Sequence, residues 1–201
     1  MAEIEYFYSA HSAYAYLGAW RLAEIADETG ARVIHRPFDF WPVINAVGGA
    51  SGSKSDAHRD YFFGRDMFRW AEYRNLPMIR HRPTHHDNPL ARPNGLIIAA
   101  QKAGADASAL SRAILMAHWR DDADIADPGA LADLLRREHM DPALLDDAMT
   151  VSTQAIHTAN TDAAIARHVF GSPTYVVDGD MFYGQDRLEL VSRALKTPFA
   201  P

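Results

Sequence analysis

Two short segments of the sequence combine residue types that could hold a charged ligand. The first, Ser9-Ala10-His11-Ser12, ends a run of β-forming residues, and a helical pattern starts directly after Ser12. A serine at a helix start accepts a hydrogen bond from a backbone N–H and so caps the helix. The same position exposes unpaired N–H groups and the positive end of the helix dipole, which favour an anion. On this segment alone, the simpler interpretation of Ser12 is a helix cap.

The second segment lies near the C-terminus and consists of Ser172-Pro173 followed by Gln185-Asp186. Pro173 begins a predicted strand, where a trans proline at a sheet edge is the ordinary explanation. Gln185 and Asp186 precede the last predicted helix. Asp186 and Glu189, three positions later, match a capping box in its carboxylate variant. Each of these residues therefore has a structural interpretation that requires no ligand.

The composition excludes several kinds of chemistry. The 201 residues contain no cysteine, so disulfides, thiolate metal sites and cysteine nucleophiles are excluded, and any sulfur chemistry must come from a bound cofactor. The 20 basic residues form no run among the 26 acidic ones, so nucleic acid is not expected as a partner. No apolar stretch is long enough to span a bilayer, and the N-terminal residues do not resemble a secretion signal. We expect a soluble cytoplasmic protein.

Ten histidines raise the question of a metal site, above all in the cluster of His81, His85, His86 and Asp87. Their spacing matches neither the helical pair of HExxH sites nor a zinc finger, and adjacent histidines rarely point to one centre. The four acidic residues Asp121, Asp122, Asp124 and Asp127 lack the glycine and the closing glutamate of a calcium-binding EF-hand loop. We therefore predict no metal site.

The beginning of the chain has a β-α-β pattern. Residues 4–8 are rich in β-formers, and residues 33–38 repeat that composition after a helical stretch. In the helical stretch, apolar residues recur at helical spacing from Ala15 to Ile25, and Gly30 ends the run. A crossover helix between two strands is typical of a sheet with parallel strands.

The middle of the chain, from about residue 56 to residue 168, has a helical pattern with no convincing strand. The predicted stops in this pattern are Pro77, Pro83, Pro89, Pro93, Pro128 and Pro142. After it, residues 175–177, the Asp178-Gly179 turn and residues 181–183 predict a β-hairpin. An amphipathic helix is predicted from Asp186. The whole order, β-α-β, helical insertion and β-β-α, predicts an α/β fold.

Two motifs make this layout resemble a known family. Residues 7–17, Phe-Tyr-Ser-Ala-His-Ser-Ala-Tyr-Ala-Tyr-Leu, resemble the first strand and helix of 2-hydroxychromene-2-carboxylate isomerases. In those enzymes a serine replaces the redox cysteine of DsbA-like oxidoreductases. Residues 168–175 and 182–188 resemble the C-terminal signature of the same family and of kappa-class glutathione transferases. One departure is Ala13, because such enzymes usually carry a proline after the serine.

The resemblance implies a fold and a cofactor. The fold is a thioredoxin-like domain of residues 1–55 and 168–201 with a large all-helical insertion of residues 56–167, as in DsbA and kappa-class glutathione transferases. The cofactor is glutathione. A thiol with a pKa of ~8.5 is mostly protonated at neutral pH, so a donor aimed at the thiolate raises the reactive fraction. The resemblance makes Ser12 this donor and the catalytic residue.

Further residues are implied to hold the glutathione. The proline that matches Pro173 is cis in thioredoxin-like proteins. A cis bond here would turn the backbone of Ser172 toward the peptide part of glutathione. The helix start at Gln185 would receive the γ-glutamyl carboxylate through its N–H groups. The Asp186 carboxylate would meet the α-ammonium group.

Four more residues are candidates for binding glutathione or a second substrate. Asn45, just before a Gly/Ser-rich loop of residues 47–56, and Lys54, within that loop, would hold a carboxylate. A solvated loop with no ligand contact is the alternative. His11 could contact a substrate carboxylate or move a proton, or be a plain loop residue. Tyr14 could form a wall of an aromatic-acid pocket or fill the core.

The implied activity is glutathione-dependent cis–trans isomerisation of 2-hydroxychromene-2-carboxylate or a related aromatic catabolic intermediate. The partners would be a small aromatic or hydroxy-keto acid and a second copy of the chain in a homodimer. Two alternatives are a kappa-type glutathione transferase or peroxidase and a non-catalytic thioredoxin-fold binding module. Disulfide exchange of the DsbA type is excluded, because a chain without a thiol cannot form a mixed disulfide.

Overall fold

The computed structural model describes residues 1–48 and 55–200. Its strands are β1 (Glu3–Tyr8), β2 (Arg32–Pro37), β3 (Thr174–Val177) and β4 (Asp180–Tyr183). They form one four-stranded sheet in the order β2-β1-β3-β4. β1 pairs with β2 in parallel and with β3 antiparallel, and β3 pairs with β4 antiparallel. The strand that opens the chain therefore lies between a neighbour close in sequence and a neighbour near the C-terminus.

The helices of the described residues are α1 (Ala13–Thr29), α2 (Phe40–Ala46), α3 (Asp56–Asp60), α4 (Met67–Tyr73), α5 (Ala91–Lys102), α6 (Ala107–Trp119), α7 (Pro128–Arg137), α8 (Leu144–Asp147), α9 (Val151–Ala166) and α10 (Leu188–Lys196). A π-helical segment, Tyr61–Asp66, joins α3 to α4, and a 3-10 turn, Gln185–Arg187, precedes α10. Between β2 and β3 the described residues contain no strand, as predicted. None of these helices is both long and apolar enough to cross a membrane.

The two faces of the sheet bury different residues, because neighbouring side chains of a strand point to opposite sides. Ile4, Tyr6 and Tyr8 of β1 share the larger buried cluster with residues of α1, α5, α6 and α10. Phe7 of β1 lies in a second cluster with residues of α2 and α9. Helices thus cover both faces, and the helical insertion contributes to each cover.

The insertion and the sheet share this core. Leu96 of α5 and Leu110 of α6 are fully buried in the same cluster as Ile4. Burying one such side chain stabilises the fold by about 1.5–3 kcal/mol. The sequence therefore anchors the insertion on the sheet with apolar residues, and the predicted boundaries at residues 55 and 168 stay a prediction.

Helix α1 begins and ends where the sequence predicts. Ser12 has extended backbone angles, and its side chain accepts a hydrogen bond from the Ala15 N–H. Gly30 ends the helix with a φ of 66°, a left-handed conformation that glycine adopts without steric cost. The N-terminus of a 17-residue helix thus lies at the turn that carries His11.

One predicted stop is wrong. Pro93 lies in the first turn of α5 rather than between helices. The first N–H groups of a helix have no intrahelical acceptor, so a proline is tolerated there. For the same reason Pro128 is the first residue of α7. Pro42 lies in the first turn of α2, a helix that the sequence does not predict.

Candidate functional site

The predicted catalytic residue Ser12 lies beside the loop that leads into β3. Its Oγ accepts a hydrogen bond from the Ala15 N–H at 3.3 Å and donates one to the Ser172 carbonyl at 3.1 Å. The capping role of Ser12 is confirmed by the first of these bonds. The second spans 160 residues of sequence and brings the two chemically interesting segments together. The role of Ser12 toward a sulfur atom stays a prediction.

The Ser172-Pro173 peptide bond is cis, as predicted. The Ser172 hydroxyl accepts a hydrogen bond from the Ser9 N–H at 3.1 Å, so Ser172 binds both ends of the turn before α1. The Thr174 hydroxyl donates to the Gly171 carbonyl at 2.8 Å and holds the loop on its other side. Among the described residues, none accepts a hydrogen bond from the Ser172 N–H. That N–H is available to a ligand.

The N-terminus of α1 offers two more backbone donors. The Ala15 N–H is bound by the Ser12 side chain, and the Tyr16 N–H is bound by the Ser12 carbonyl at 3.0 Å. The N–H groups of Ala13 and Tyr14 have no acceptor in residues 1–48 and 55–200. Together with the helix dipole, these two N–H groups favour an anion just beyond the helix.

Gln185, a predicted contact of glutathione, is buried, and a cation holds its side chain. Its Oε1 accepts hydrogen bonds from Nε and Nη2 of Arg74 at 3.0 and 2.9 Å. The Arg74 guanidinium also lies 5.4 Å from the centre of the Trp70 ring. The side chain of Gln185 thus joins the 3-10 turn to the helical insertion. Its contact with glutathione stays a prediction, and its side-chain oxygen is already used within the protein.

The predicted capping box of Asp186 and Glu189 is wrong. The 3-10 turn moves the start of α10 to Leu188, and neither the turn nor the helix has a side-chain cap. Oδ2 of Asp186 lies 3.0 Å from Nη1 of Arg187, and Oε1 of Glu189 lies 2.8 Å from Nε of Arg21 on α1. The Asp186 pair is exposed to solvent, where an ion pair is weak. The carboxylate can therefore exchange Arg187 for a ligand ammonium group, a contact that stays a prediction.

The predicted substrate contact Tyr14 binds the π-helical segment. Its hydroxyl lies 2.8 Å from the Phe62 carbonyl and 3.1 Å from Oδ2 of Asp66. Burial raises the pKa of Tyr14, and the charges of Asp66 and, more weakly, Asp186 add to the shift. The hydroxyl thus has its acceptors inside the protein, and a contact between Tyr14 and a substrate stays a prediction.

The other predicted substrate contact, His11, is held on several sides. Its Nδ1 lies 2.9 Å from the Ser9 hydroxyl, and the Trp119 indole N–H donates to its carbonyl at 2.9 Å. Its ring is edge-on to Phe40 at 5.6 Å and lies 4.6 Å from the His86 ring, both measured between ring centres. Burial and, to a lesser extent, the nearby His86 lower the pKa of His11 to about 3. The ring is therefore neutral at neutral pH.

His86 and His118 extend this group in a way that the sequence does not predict. Nδ1 of His86 lies 2.9 Å from Nε2 of His118, and the two rings are stacked. Burial lowers the pKa of each to about 4. The only signal in the sequence is the number of histidines, and it does not reveal which of them meet. In the described part of the chain, no three histidine or acidic side chains are placed to hold a metal ion.

Asn94 is a second residue that sequence reasoning misses. It is fully buried on α5, where its Oδ1 accepts a hydrogen bond from the Ala10 N–H at 3.1 Å. Its Nδ2 donates to the Phe38 carbonyl at 3.3 Å and lies 3.1 Å from Nε2 of His157. Asn94 thus connects the Ser12 turn, the end of β2 and α9. A polar residue within an apolar helical run is the signal, but its partners cannot be read from the sequence.

The structure places the remaining predicted residues only in part. Asn45 is exposed near the end of α2. Lys54 lies outside the described residues, as does most of the Gly/Ser-rich loop. Their predicted contacts with a carboxylate stay predictions.

Comparison with known proteins agrees with the observed fold. The profile of the DSBA-like thioredoxin domain matches residues 3–196. The chain belongs to this family. It is a DsbA-like thioredoxin-domain protein without cysteine, and the predicted fold, with its helical insertion, is confirmed.

Proteins similar to this DsbA-like protein include isomerases and a disulfide reductase. The chain is 27% identical over 199 residues to 2-hydroxychromene-2-carboxylate isomerase of Pseudomonas sp. (strain C18). The alignment covers 96% of this chain and 89% of the relative. A solved structure of 2-hydroxychromene-2-carboxylate isomerase has a TM-score of 0.81 at 24% identity, over 96% of this chain and 94% of that one. The cytosolic disulfide reductase DsbM from Pseudomonas aeruginosa, solved with GSH, has a TM-score of 0.64 at 17% identity, over 98% and 93% of the chains.

Proposed function

We propose that this protein is a glutathione-dependent cis–trans isomerase that converts 2-hydroxychromene-2-carboxylate, or a related aromatic catabolic intermediate, to a trans open-chain product. The observation that carries the proposal is the contact of Ser12 with the cis Ser172-Pro173 loop, 3.1 Å between Ser12 Oγ and the Ser172 carbonyl. The name of the curated relative, which matches 96% of the chain, supports the reaction. The substrate would be a small aromatic or hydroxy-keto acid.

The residues at this contact fit glutathione. The unpartnered Ser172 N–H can pair with the peptide part of the ligand as in strand addition. The N–H groups of Ala13 and Tyr14, at the positive end of α1, favour a negatively charged sulfur. The chain has no thiol of its own, so a reactive sulfur must come from a ligand. DsbM, which shares the fold, has been solved with GSH.

The chain contributes binding and electrostatics to the reaction. Bound glutathione would supply a thiolate that adds to a carbon of the substrate's double bond, and with the ring opened the connecting bond could then rotate. Loss of the same thiolate would restore the double bond in the trans open-chain product and regenerate glutathione. The Ser12 hydroxyl can turn its hydrogen from the Ser172 carbonyl to the sulfur and so stabilise the charged form. Asp186 would bind the α-ammonium group, and Asn45 and Lys54 a carboxylate. Holding both reactants in one geometry lowers the barrier further.

Calorimetric titration with glutathione, followed by titration of the bound thiol, tests the cofactor and Ser12. We expect the native protein to bind glutathione and to lower the thiol pKa below ~8.5. Ser12→Ala should still bind, but the thiol pKa should rise by about one unit, because a hydrogen bond to a charged group is worth about 1.5–3 kcal/mol. Thr150→Ala is the matched control, since Thr150 caps α9 as Ser12 caps α1.

The outcomes separate the possible functions. Absence of binding at millimolar glutathione contradicts the proposal, and equal thiol pKa values in Ser12→Ala and Thr150→Ala reduce Ser12 to a helix cap. Incubation with 2-hydroxychromene-2-carboxylate should give the trans product only when glutathione is present. Conjugates with electrophiles, without isomerisation, would indicate a transferase instead.

The proposal includes an assembly and a compartment. We infer a cytoplasmic homodimer from the resemblance to glutathione-dependent isomerases. Light scattering on the purified chain measures the mass, and a monomeric mass would contradict the dimer.

A further inference from the structure

Ser9 and His11 form a hydrogen-bonded pair in the turn before α1. Ser9 is fully buried, and its Oγ lies 2.9 Å from Nδ1 of His11. The hydroxyl hydrogen of Ser9 needs an acceptor, because a buried donor without a partner destabilises the folded state. Within residues 1–48 and 55–200, no other acceptor bonds to this hydroxyl. The Ser9 O–H therefore donates to Nδ1, and the neutral His11 ring carries its hydrogen on Nε2.

The His11 ring is held in one orientation. Phe40 lies against it edge-on, the His86 ring lies 4.6 Å away between centres, and the Trp119 indole binds the His11 carbonyl. Nε2 of His11 has no hydrogen-bond partner in the part of the chain that the structure describes. A fixed ring with an unused N–H is a preorganised donor, which needs no reordering when a charge develops next to it.

We propose that Ser9 fixes the tautomer of His11 so that its Nε2–H donates to an anionic atom bound beside Ser12. This inference rests on the proposed function, which brings glutathione and an acidic substrate to the same turn. The anionic atom is the glutathione sulfur or an oxygen of the substrate, since a neutral N–H donor serves either. His11 is then a catalytic residue, and Ser9 is a positioning residue.

The Ser12 hydroxyl already makes hydrogen bonds within the protein, so a second donor beside it would add to the binding of an anion. Its single hydrogen is bound to the Ser172 carbonyl at 3.1 Å, and its lone pairs face the Ala15 N–H. Ser12 must break one internal hydrogen bond before it can serve a ligand. His11 breaks none, because Nδ1 and not Nε2 is bound to Ser9.

The donor stays neutral over the pH range in which a thiol ionises. The pKa of His11 is lowered to about 3, mainly by burial and to a lesser extent by His86, His118 and Arg82. Asp87 opposes this shift. The His11 ring is therefore an N–H donor without a net charge, and its contribution does not change near neutral pH.

Nuclear magnetic resonance of nitrogen-15-labelled imidazole rings tests the tautomer without any ligand. Native His11 should show the Nε2–H tautomer at neutral pH. Ser9→Ala should shift the ring toward a mixture of tautomers while the cis Ser172-Pro173 loop and the fold are retained. A native ring that carries its hydrogen on Nδ1 would overturn the proposal.

A second experiment identifies the anionic atom. His11→Phe keeps a flat ring between Phe40 and His86 but removes the donor. If the sulfur is the acceptor, the pKa of bound glutathione rises by about one unit, which is tenfold in the thiol equilibrium. If a substrate oxygen is the acceptor, KM rises about tenfold and the thiol pKa is unchanged. His11→Gln, which regains a side-chain N–H, should recover part of either effect.

A control variant and two different negative results separate the role of His11 from the proposed function. His81→Phe, at an exposed position that pairs with Asp122, should change neither quantity. If His11→Phe folds, binds glutathione and alters neither quantity, the role of His11 is refuted while the proposed function stands. If the native protein binds no glutathione, the proposed function fails, and the tautomer measurement still decides the Ser9–His11 pair.

Discussion

At the scale of single residues, Gly18 sets the distance between α1 and the 3-10 turn. A Cβ atom at this position would lie 2.8 Å from Cβ of Gln185 and 2.9 Å from the Tyr175 hydroxyl oxygen. Both neighbours are buried and have little room to move. Gly18→Ala should lower the free energy of unfolding by about 1–3 kcal/mol through overpacking, although alanine favours helix by about 1 kcal/mol. Urea unfolding measures the change.

Gly64→Ala provides the comparison for Gly18→Ala. A Cβ atom at Gly64, in the π-helical segment, would meet no described atom within 4 Å. The stability of the Gly64→Ala variant should equal or exceed that of the native protein, because only the helix preference of the residue changes. Equal losses of stability in the two variants would show that the contact of Gly18 with Gln185 and Tyr175 is not tight.

Residue motifs predict the local part of the site and miss its long-range part. The cap at Ser12 could be predicted because the serine stands between a strand pattern and a helix pattern. The cis form of Pro173 could be predicted only from the family resemblance, since the residues alone favour a trans proline. The Arg74–Gln185 contact joins residues 111 apart, and the Asn94–Ala10 contact joins residues 84 apart. Such partners depend on how the insertion packs on the sheet, which no local pattern specifies.

At the scale of elements, the Tyr14 hydroxyl ties α1 to the π-helical segment between α3 and α4. Tyr14→Phe removes its bonds to the Phe62 carbonyl and to Asp66 but keeps the ring. We expect a loss of about 1 kcal/mol in stability and faster hydrogen exchange in residues 56–73, with the rest of the fold unchanged. Tyr73→Phe, at a position 80% exposed, is the control. Unchanged exchange in Tyr14→Phe would show that this hydroxyl does not hold the segment.

The elements differ in how well the sequence predicts them. Helix α1 and the hairpin of β3 and β4 follow from apolar spacing, a capping serine and an Asp-Gly turn. Helix α2 escapes prediction because it is short and contains Pro42 in its first turn. The start of α10 is displaced because a 3-10 turn comes before it, and hydrogen-bond patterns of that kind leave little trace in sequence.

At the scale of the whole molecule, buried histidines make stability depend on pH. Burial lowers the pKa of His35 and His118 to about 4, whereas an unfolded histidine has a pKa of about 6.5. As the pH falls below about 6.5, the unfolded chain binds protons that the folded chain does not. Stability is thus full above this pH and falls down to about pH 4, by up to about 1.4 kcal/mol per pH unit for each such histidine.

Urea unfolding at a series of pH values measures this dependence. His35→Gln, which removes one buried imidazole away from Ser12, should make the acid-side loss of stability shallower. His139→Gln, at an exposed position, should leave the slope as it is in the native protein. A native stability that stays constant between about pH 6.5 and pH 4 would contradict the expectation.

The order of the strands also has a consequence for synthesis of the chain. The neighbours of β1 are β2, which follows directly, and β3, which comes after the whole helical insertion. During translation, the edge of β1 that pairs with β3 therefore stays unpaired while the insertion is synthesised. Unpaired strand edges are sites at which nascent chains aggregate. Ser9 and Ser12 can form their hydrogen bonds with Ser172 only after the insertion has been synthesised. A polypeptide that stalls before Ser172 contains α1 but lacks part of the proposed ligand site, which is therefore completed late in translation.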